Sequence, residues 1–255
     1  MTALLDVQAL EKHYYKNVGW FKKQITHALK PLSFTLKQGE TLAVTGGASS
    51  GKSTLAKVLA GAEPASGGKV YLEGIELNEQ SEKLRSSQIR LIFQDPKQSL
   101  NPTAKIGSIL AAPLKFNTHK SVKDRIDKMR ETLLKVGLLP EHIEYYPHML
   151  STGQLQRVAL ARAIILDPKV LVLDEAIATL DPSVRAQIIN LLLDLQDSQS
   201  LSYILITHHL GIIKHISNDI LVLDNGEVVE QGPTTSVFSH PEHKYTQQLL
   251  ASQNF

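Results

Sequence analysis

The 255 residues carry 27 basic and 25 acidic side chains, and the net charge of only +2 comes without a basic block, which argues against a nucleic-acid footprint. Apolar residues at 42% and charged residues at 20% are ordinary globular composition and exclude disorder over most of the chain. The absence of cysteine excludes disulfides, thiolate metal sites and iron–sulfur clusters, and no apolar run approaches the roughly 18 residues needed to cross a bilayer.

The length suits one α/β domain with a small helical subdomain inside it. At the N-terminus, MTALLDVQALEKHYY carries early charges where a secretory leader would be apolar, which predicts a cytosolic chain. LLDVQAL and ITHALKPLSFTL read as strands, with a polar loop expected from Lys16 to Lys23 between them. A Gln38-Gly39 turn leads into the strand TLAVT. The spacing of Leu55, Val58 and Leu59 predicts a helix after it, and Gly67-Gly68 returns the chain to the strand KVYLEG. IRLIF reads as a buried strand, and helical periodicity from about Ile106 to Ile165 marks a candidate helical lobe. VLVLD and YILIT suit buried parallel strands joined by a helix around Ile188 to Leu195. Asp224-Asn225-Gly226 predicts a tight hairpin between ILVL and EVVE, and a helix ending in YTQQLLAS closes the chain.

Gly46, Gly47, Ala48, Ser49, Ser50, Gly51, Lys52 and Ser53 fit G-x-x-x-x-G-K-[ST], with an apolar strand before them and a helix, beginning near Thr54, after them. Such a loop turns backbone amides toward β- and γ-phosphate oxygens, aided by the helix N-terminus. Lys52 would neutralise phosphate and the Ser53 hydroxyl would bind Mg²⁺. The apolar strand ending in Asp174-Glu175 places two acids at the carboxyl edge of a parallel sheet, where such sheets bind ligands. Asp174 is expected to hold Mg²⁺ and Glu175 to polarise an attacking water, so the predicted ligand is Mg²⁺-ATP.

Leu150-Ser151-Thr152-Gly153-Gln154, followed by LQR and a helical run, resembles the LSGGQ segment of ABC ATPases. Other markers of that family stand in the expected order: Gln94 after IRLIF, Asp181 in ATLD, and His208 after YILIT. The resemblance implies that Ser151 to Gln154 face ATP on a second ATPase subunit, so that two chains sandwich two ATP molecules. It also implies that Gln94 links Mg²⁺ and the lytic water to the transporter, that His208 contacts the γ-phosphate, and that Tyr14, or its neighbour Tyr15, stacks on adenine.

FQDPKQSLNP, YYPHML and PEHKYTQQLL are similar to segments of the oligopeptide and dipeptide importers, and SYILITHHLGIIKHISNDILVLDNGEVVEQG to the Sap-type peptide-uptake systems linked to antimicrobial-peptide resistance. That similarity implies two membrane permease subunits, a periplasmic peptide-binding protein, and a peripheral place on the cytoplasmic face of a bacterial inner membrane. The implied fold is α/β, a P-loop NTPase of the ABC type with an antiparallel β subdomain and a helical subdomain. The whole chain, 1–255, forms one such ATPase domain, with its core in about 1–95 and 166–255 and its helical lobe in about 96–165.

Two departures stand out: Ser49 and Thr152 occupy positions where the family usually has glycine, and a side chain at either, above all the β-branched Thr152, is expected to restrict the backbone near phosphate. Slow hydrolysis, or a regulatory subunit that holds ATP without splitting it, follows as the alternative. An ABC ATPase acting on DNA or ribosomes is disfavoured by the near-neutral charge and the single P-loop, and a GTPase by the absence of an N-K-x-D segment.

Overall fold

The computed structural model describes residues 3–18, 22–93, 99–178 and 180–252, without the side chains of 16–18 and 22–24. Strands β1 (Leu5–Val18) and β2 (Lys22–Leu36) form a long antiparallel hairpin, and β4 (Gly67–Leu72) and β5 (Ile75–Glu76) complete a sheet of order β2-β1-β4-β5. The polar stretch from Lys16 to Lys23 is therefore mostly hairpin instead of loop, with Val18 opposite Lys22. Cross-strand backbone pairing satisfies the main chain there whatever the side-chain polarity.

The second sheet has the order β10-β9-β3-β8-β7-β6, formed by β3 (Thr41–Gly46), β6 (Ile89–Ile92), β7 (Val170–Asp174), β8 (Ser202–Ile206), β9 (Asp219–Asp224) and β10 (Glu227–Pro233). Every pairing from β6 to β9 is parallel, and only β10 runs antiparallel, at the edge. All residues of β3 and β8 are buried, as expected of strands covered on both faces. One cover is helix α1 (Lys52–Leu59), whose Leu55, Val58 and Leu59 are fully buried beneath the antiparallel sheet. The opposite cover includes α6 (Pro182–Gln199). Between α1 and α6 in the chain, α2 (Glu82–Gln88) precedes β6, while α3 (Ile106–Asn117), α4 (Val122–Lys135) and α5 (Thr152–Ile164) form the helical region. Helices α7 (Leu210–Ile216), α8 (Thr234–Ser239) and α9 (Lys244–Ala251) complete the described elements.

The helical region is not packed by itself. Leu110 of α3, Leu133 of α4 and Val158 of α5 share one buried cluster with Leu171 and Leu173 of β7 and Leu205 of β8.

Because β3, β7 and β8 are parallel and in register, their carboxyl ends fall on one edge, and the ladder continues beyond them through Glu175 N–H to Ile206 O (2.9 Å) and Thr207 N–H to Val44 O (3.2 Å). The β9–β10 turn reaches this edge from the side. Gly226 donates its N–H to Ser50 O (3.1 Å), and its carbonyl accepts from Lys30 N–H of β2 (2.8 Å), so one residue ties the two sheets together. Gly226 has φ +77°, and a Cβ there would lie 2.9 Å from Ala28 O. Gly226→Ala therefore combines a left-handed backbone with a close contact, and should cost about 2 kcal/mol, seen as a fall of roughly 5 °C in the thermal midpoint. An unchanged midpoint would mean that the turn can shift without cost.

Candidate active site

Every amide of the turn from Gly46 to Gly51 lies between a buried strand and a helix, and the turn closes a cleft of about 430 Å³ lined by Ala28, residues 48–54 and Glu175. Gly51, at φ +102°, is the N-cap of α1 and supplies no side-chain cap to the amides of the first turn. Those amides point the positive end of the helix dipole into the cleft. Glycine is required at position 51, because a Cβ would meet Ala28 O at 2.4 Å.

Lys52 is 9% exposed and its ammonium is held by Gly46 O (2.9 Å), Gly47 O (2.6 Å) and Ser50 Oγ (3.2 Å). Burial pushes its pKa down, against the pull of Glu175 and Asp174 in the other direction. Ser53 Oγ donates to Asp174 Oδ1 at 3.2 Å across 121 residues of sequence. Burial pushes the Asp174 carboxyl up, the Ser53 hydroxyl works against that shift, and neighbouring Glu175 adds to it. A hydroxyl and a hard carboxylate oxygen beside a phosphate cradle fit Mg²⁺, which takes few protein ligands and draws the rest from phosphate and water. Among the described residues no group of three or more His, Cys, Asp or Glu converges as a metal cluster.

Glu175 follows β7 with φ +50°, a left-handed conformation that costs a non-glycine residue about 1 kcal/mol. It turns the carboxylate toward His208, whose Nδ1 lies 3.2 Å from Glu175 Oε1. The structure thus unites Lys52, Ser53, Asp174, Glu175 and His208 on one edge. Tyr14 borders the same region from β1: its hydroxyl bonds Glu63, Thr54 lies within hydrogen-bonding reach, and Lys12 Nζ sits 5.0 Å from its ring centre. Tyr15 instead reaches His13, with its hydroxyl 3.0 Å from His13 Nε2. Gln94 lies outside the described residues.

Ser151 to Gln154 form a separate surface. Ser151 caps α5, accepting from Gln154 N–H at 3.3 Å while its own N–H donates to Gln154 Oε1 at 2.9 Å. Among the described residues no hydrogen bond joins this segment to the phosphate loop, and both Ser151 and Thr152 are exposed. Asp181, likewise exposed, is the N-cap residue of α6.

The two glycine replacements are not alike. Thr152 sits at the first position of a helix and is not among the residues with positive φ, so its side chain imposes no backbone strain. Ser49, at φ +59°, does.

Three side chains that the sequence reading passed over bear on the site. Arg185 of α6 holds the carbonyls of Ala178 (3.0 Å) and Leu180 (2.9 Å), and its other nitrogen lies 2.9 Å from His209 Nε2. Burial, and then Arg185, push the His209 pKa down, which keeps the imidazole neutral and able to accept. Gln156 of α5 donates to Ala176 O at 2.8 Å and so joins the helix after Ser151 to the segment after Glu175. Tyr245 accepts from Gly47 N–H at 2.6 Å. The His208-His209 doublet is a visible signal for the first, whereas no local pattern announces the others.

Comparison with known proteins gives consistent matches. Residues 29–178 match the family described as ABC transporter. The chain is 50% identical over 248 residues, 97% of its length and 92% of the relative's, to Escherichia coli K12 "Putrescine export system ATP-binding protein SapF". The same identity and coverage hold for "Peptide transport system ATP-binding protein SapF" of Escherichia coli O6:H1. "Dipeptide transport ATP-binding protein DppF" of Haemophilus influenzae is 45% identical over 98% of this chain and 78% of its own. Among solved structures, cbiO1 from Clostridium perfringens superposes with a TM-score of 0.79 at 28% identity, covering 93% of this chain and 91% of that one. A dimeric ATP-binding cassette in a post-hydrolysis state with ADP and Pi gives 0.77 at 26% identity, covering 90% and 98%.

Replacing Ser49 with glycine should raise the thermal midpoint of the purified chain by about 2–3 °C, since relief of a left-handed serine outweighs the added freedom of the unfolded chain by roughly 0.5–1 kcal/mol. A lower midpoint would show that the Ser49 side chain contributes more than its backbone costs.

Proposed function

The chain belongs to the ABC transporter family as an ATP-binding, ATP-hydrolysing subunit, and on that premise we propose that it powers a peptide importer on the cytoplasmic face of a bacterial inner membrane. The observation that carries the catalytic reading is the pairing at the end of β7, where Asp174 meets Ser53 and Glu175 meets His208 at one sheet edge.

The backbone from Gly46 to Thr54 cradles the phosphates of ATP, and Lys52, held by the loop carbonyls, presents its ammonium to phosphate oxygens. Ser53 and Asp174, with Gln94, would hold Mg²⁺, which when bound would neutralise charge building on the phosphates. Glu175 accepts a proton from the attacking water, and His208, hydrogen-bonded to it, orients that carboxylate and reaches the γ-phosphate. Tyr14 offers an aromatic face at the border of the cleft for adenine. The exposed Ser151 to Gln154 cap and the adjacent Asp181 face nucleotide on a second ATPase subunit, so residues 1–255 act as one domain that completes its site by pairing. Two permease subunits, fed by a periplasmic peptide-binding protein, carry out translocation; in this chain no helix among the described residues is long and apolar enough to cross a membrane.

A cargo of antimicrobial peptides fits the Sap-type relatives. One of them, at the same 50% identity, is named for putrescine export, so the ATPase sequence alone separates the cargoes poorly. Purification of the tagged chain from membranes in mild detergent identifies its partners, and uptake assays with labelled peptide beside efflux assays with labelled putrescine decide between the cargoes. Glu175→Gln should keep ATP binding and lose turnover by about 10²-fold or more, with ATP-bound dimers accumulating. Parental turnover in that variant would move the base role to another group.

A further inference from the structure

Helix α9, whose PEHKYTQQLL segment plays no part in the chemistry above, begins against the phosphate loop. Its entry is fixed: the Glu230 carboxylate on β10 accepts from the N–H groups of Glu242 (2.9 Å) and His243 (3.0 Å), and His243 Nδ1 accepts from Tyr245 N–H (3.2 Å). Thr246 is 1% exposed, and the Tyr245 ring packs on the buried cluster that includes Ala43 of β3 and Val222 of β9. The phenol is thereby aimed at one peptide unit, accepting from Gly47 N–H at 2.6 Å.

That peptide unit is the one whose other end, Gly46 O, accepts from Lys52 Nζ at 2.9 Å. Its flanking residues are both glycine, and Gly46 has φ +147°, so side-chain sterics do little to prevent the plane from rotating. Rotation would turn the Gly46 carbonyl away from the ammonium. Position 47 also leaves room for the phenol, since a Cβ there would lie 2.9 Å from Tyr245 Oη.

We propose that Tyr245 is a positioning residue of the nucleotide site, fixing the Gly46–Gly47 peptide and, through its carbonyl, the place from which Lys52 meets phosphate. The proposal rests on the reading of Gly46 to Ser53 as the ATP site. The C-terminal helix is then a brace for the phosphate loop, and changes at this end of the chain reach nucleotide affinity without touching nucleotide.

The test uses the full chain and a fluorescent Mg²⁺-ATP analogue. Tyr245→Phe keeps the ring and should weaken binding about fivefold, the size of one lost hydrogen bond, with the thermal midpoint within about 2 °C of the parent. In the assembled transporter the KM for ATP should rise by the same factor while kcat stays close to the parental value. Gly47→Ala, which crowds the phenol, should weaken binding similarly, and the double variant should be no worse than the more affected single one. Parental affinity and KM in Tyr245→Phe, or additive effects in the double variant, would overturn the proposal. So would a large drop in the midpoint accompanied by loss of kcat alone, since that marks a structural role. Failure of the parent chain to bind the analogue would instead overturn the ATP-site reading, and the proposal with it.

Discussion

Everything at the carboxyl edge of the six-stranded sheet is arranged around an ammonium that burial disfavours. Lys52 is surrounded by loop carbonyls and sits under a depressed pKa, while Asp174, a few side chains away, is pushed the opposite way by the same desolvation. Each group resists its own charge in a dry setting, and each is rewarded by a partner of opposite sign. A polyphosphate would satisfy the first and a divalent cation the second. The fold supplies this setting by ending three parallel strands at one level and starting a helix from a glycine that offers no cap.

Two of the seven described non-glycine residues in left-handed conformations stand at this edge. Ser49 and Glu175 both stand in left-handed conformations, on either side of the cleft, and each is held by bonds from distant segments. The Glu175 N–H completes the ladder to β8, and Ser50 beside Ser49 receives the Gly226 N–H. Arg185 gathers the segment beyond Glu175 by two of its carbonyls and ties it to His209, next to the histidine that meets Glu175. A single guanidinium therefore ties the segment before exposed Asp181 to the loop that carries His208 and His209.

Much of this was legible in the residues alone. The phosphate loop, the acids after VLVL and the strand–helix alternation around them follow from local pattern, because a glycine turn, a buried strand and an amphipathic helix each leave a short-range signature. The hairpin from Leu5 to Leu36 was only partly legible: polar composition suggested a loop at Lys16 to Lys23, where backbone pairing decides the outcome. Of the two replaced glycines the β-branched Thr152 reads as the more restricting, yet the backbone angles reverse that order: Thr152 starts a helix without strain, and Ser49 holds the left-handed turn. The contacts of Arg185, Gln156 and Tyr245 join residues whose separation in sequence carries no periodicity, so nothing in the string marks them.

The shared cluster under α3, α4 and α5 has a further consequence for how the chain can be taken apart. Leu171, Leu173 and Leu205 are fully or almost fully buried strand residues, and the cluster that covers them includes Leu110, Leu133 and Val158. Although residues 96–165 read like a cassette inserted into an α/β frame, excising them would strip part of the lid from the frame's own sheet and leave an apolar patch of the kind that promotes association. The helical region bears part of the sheet's own wall, and shortened versions of this protein would need new side chains on β7 and β8 before they could stand as soluble molecules.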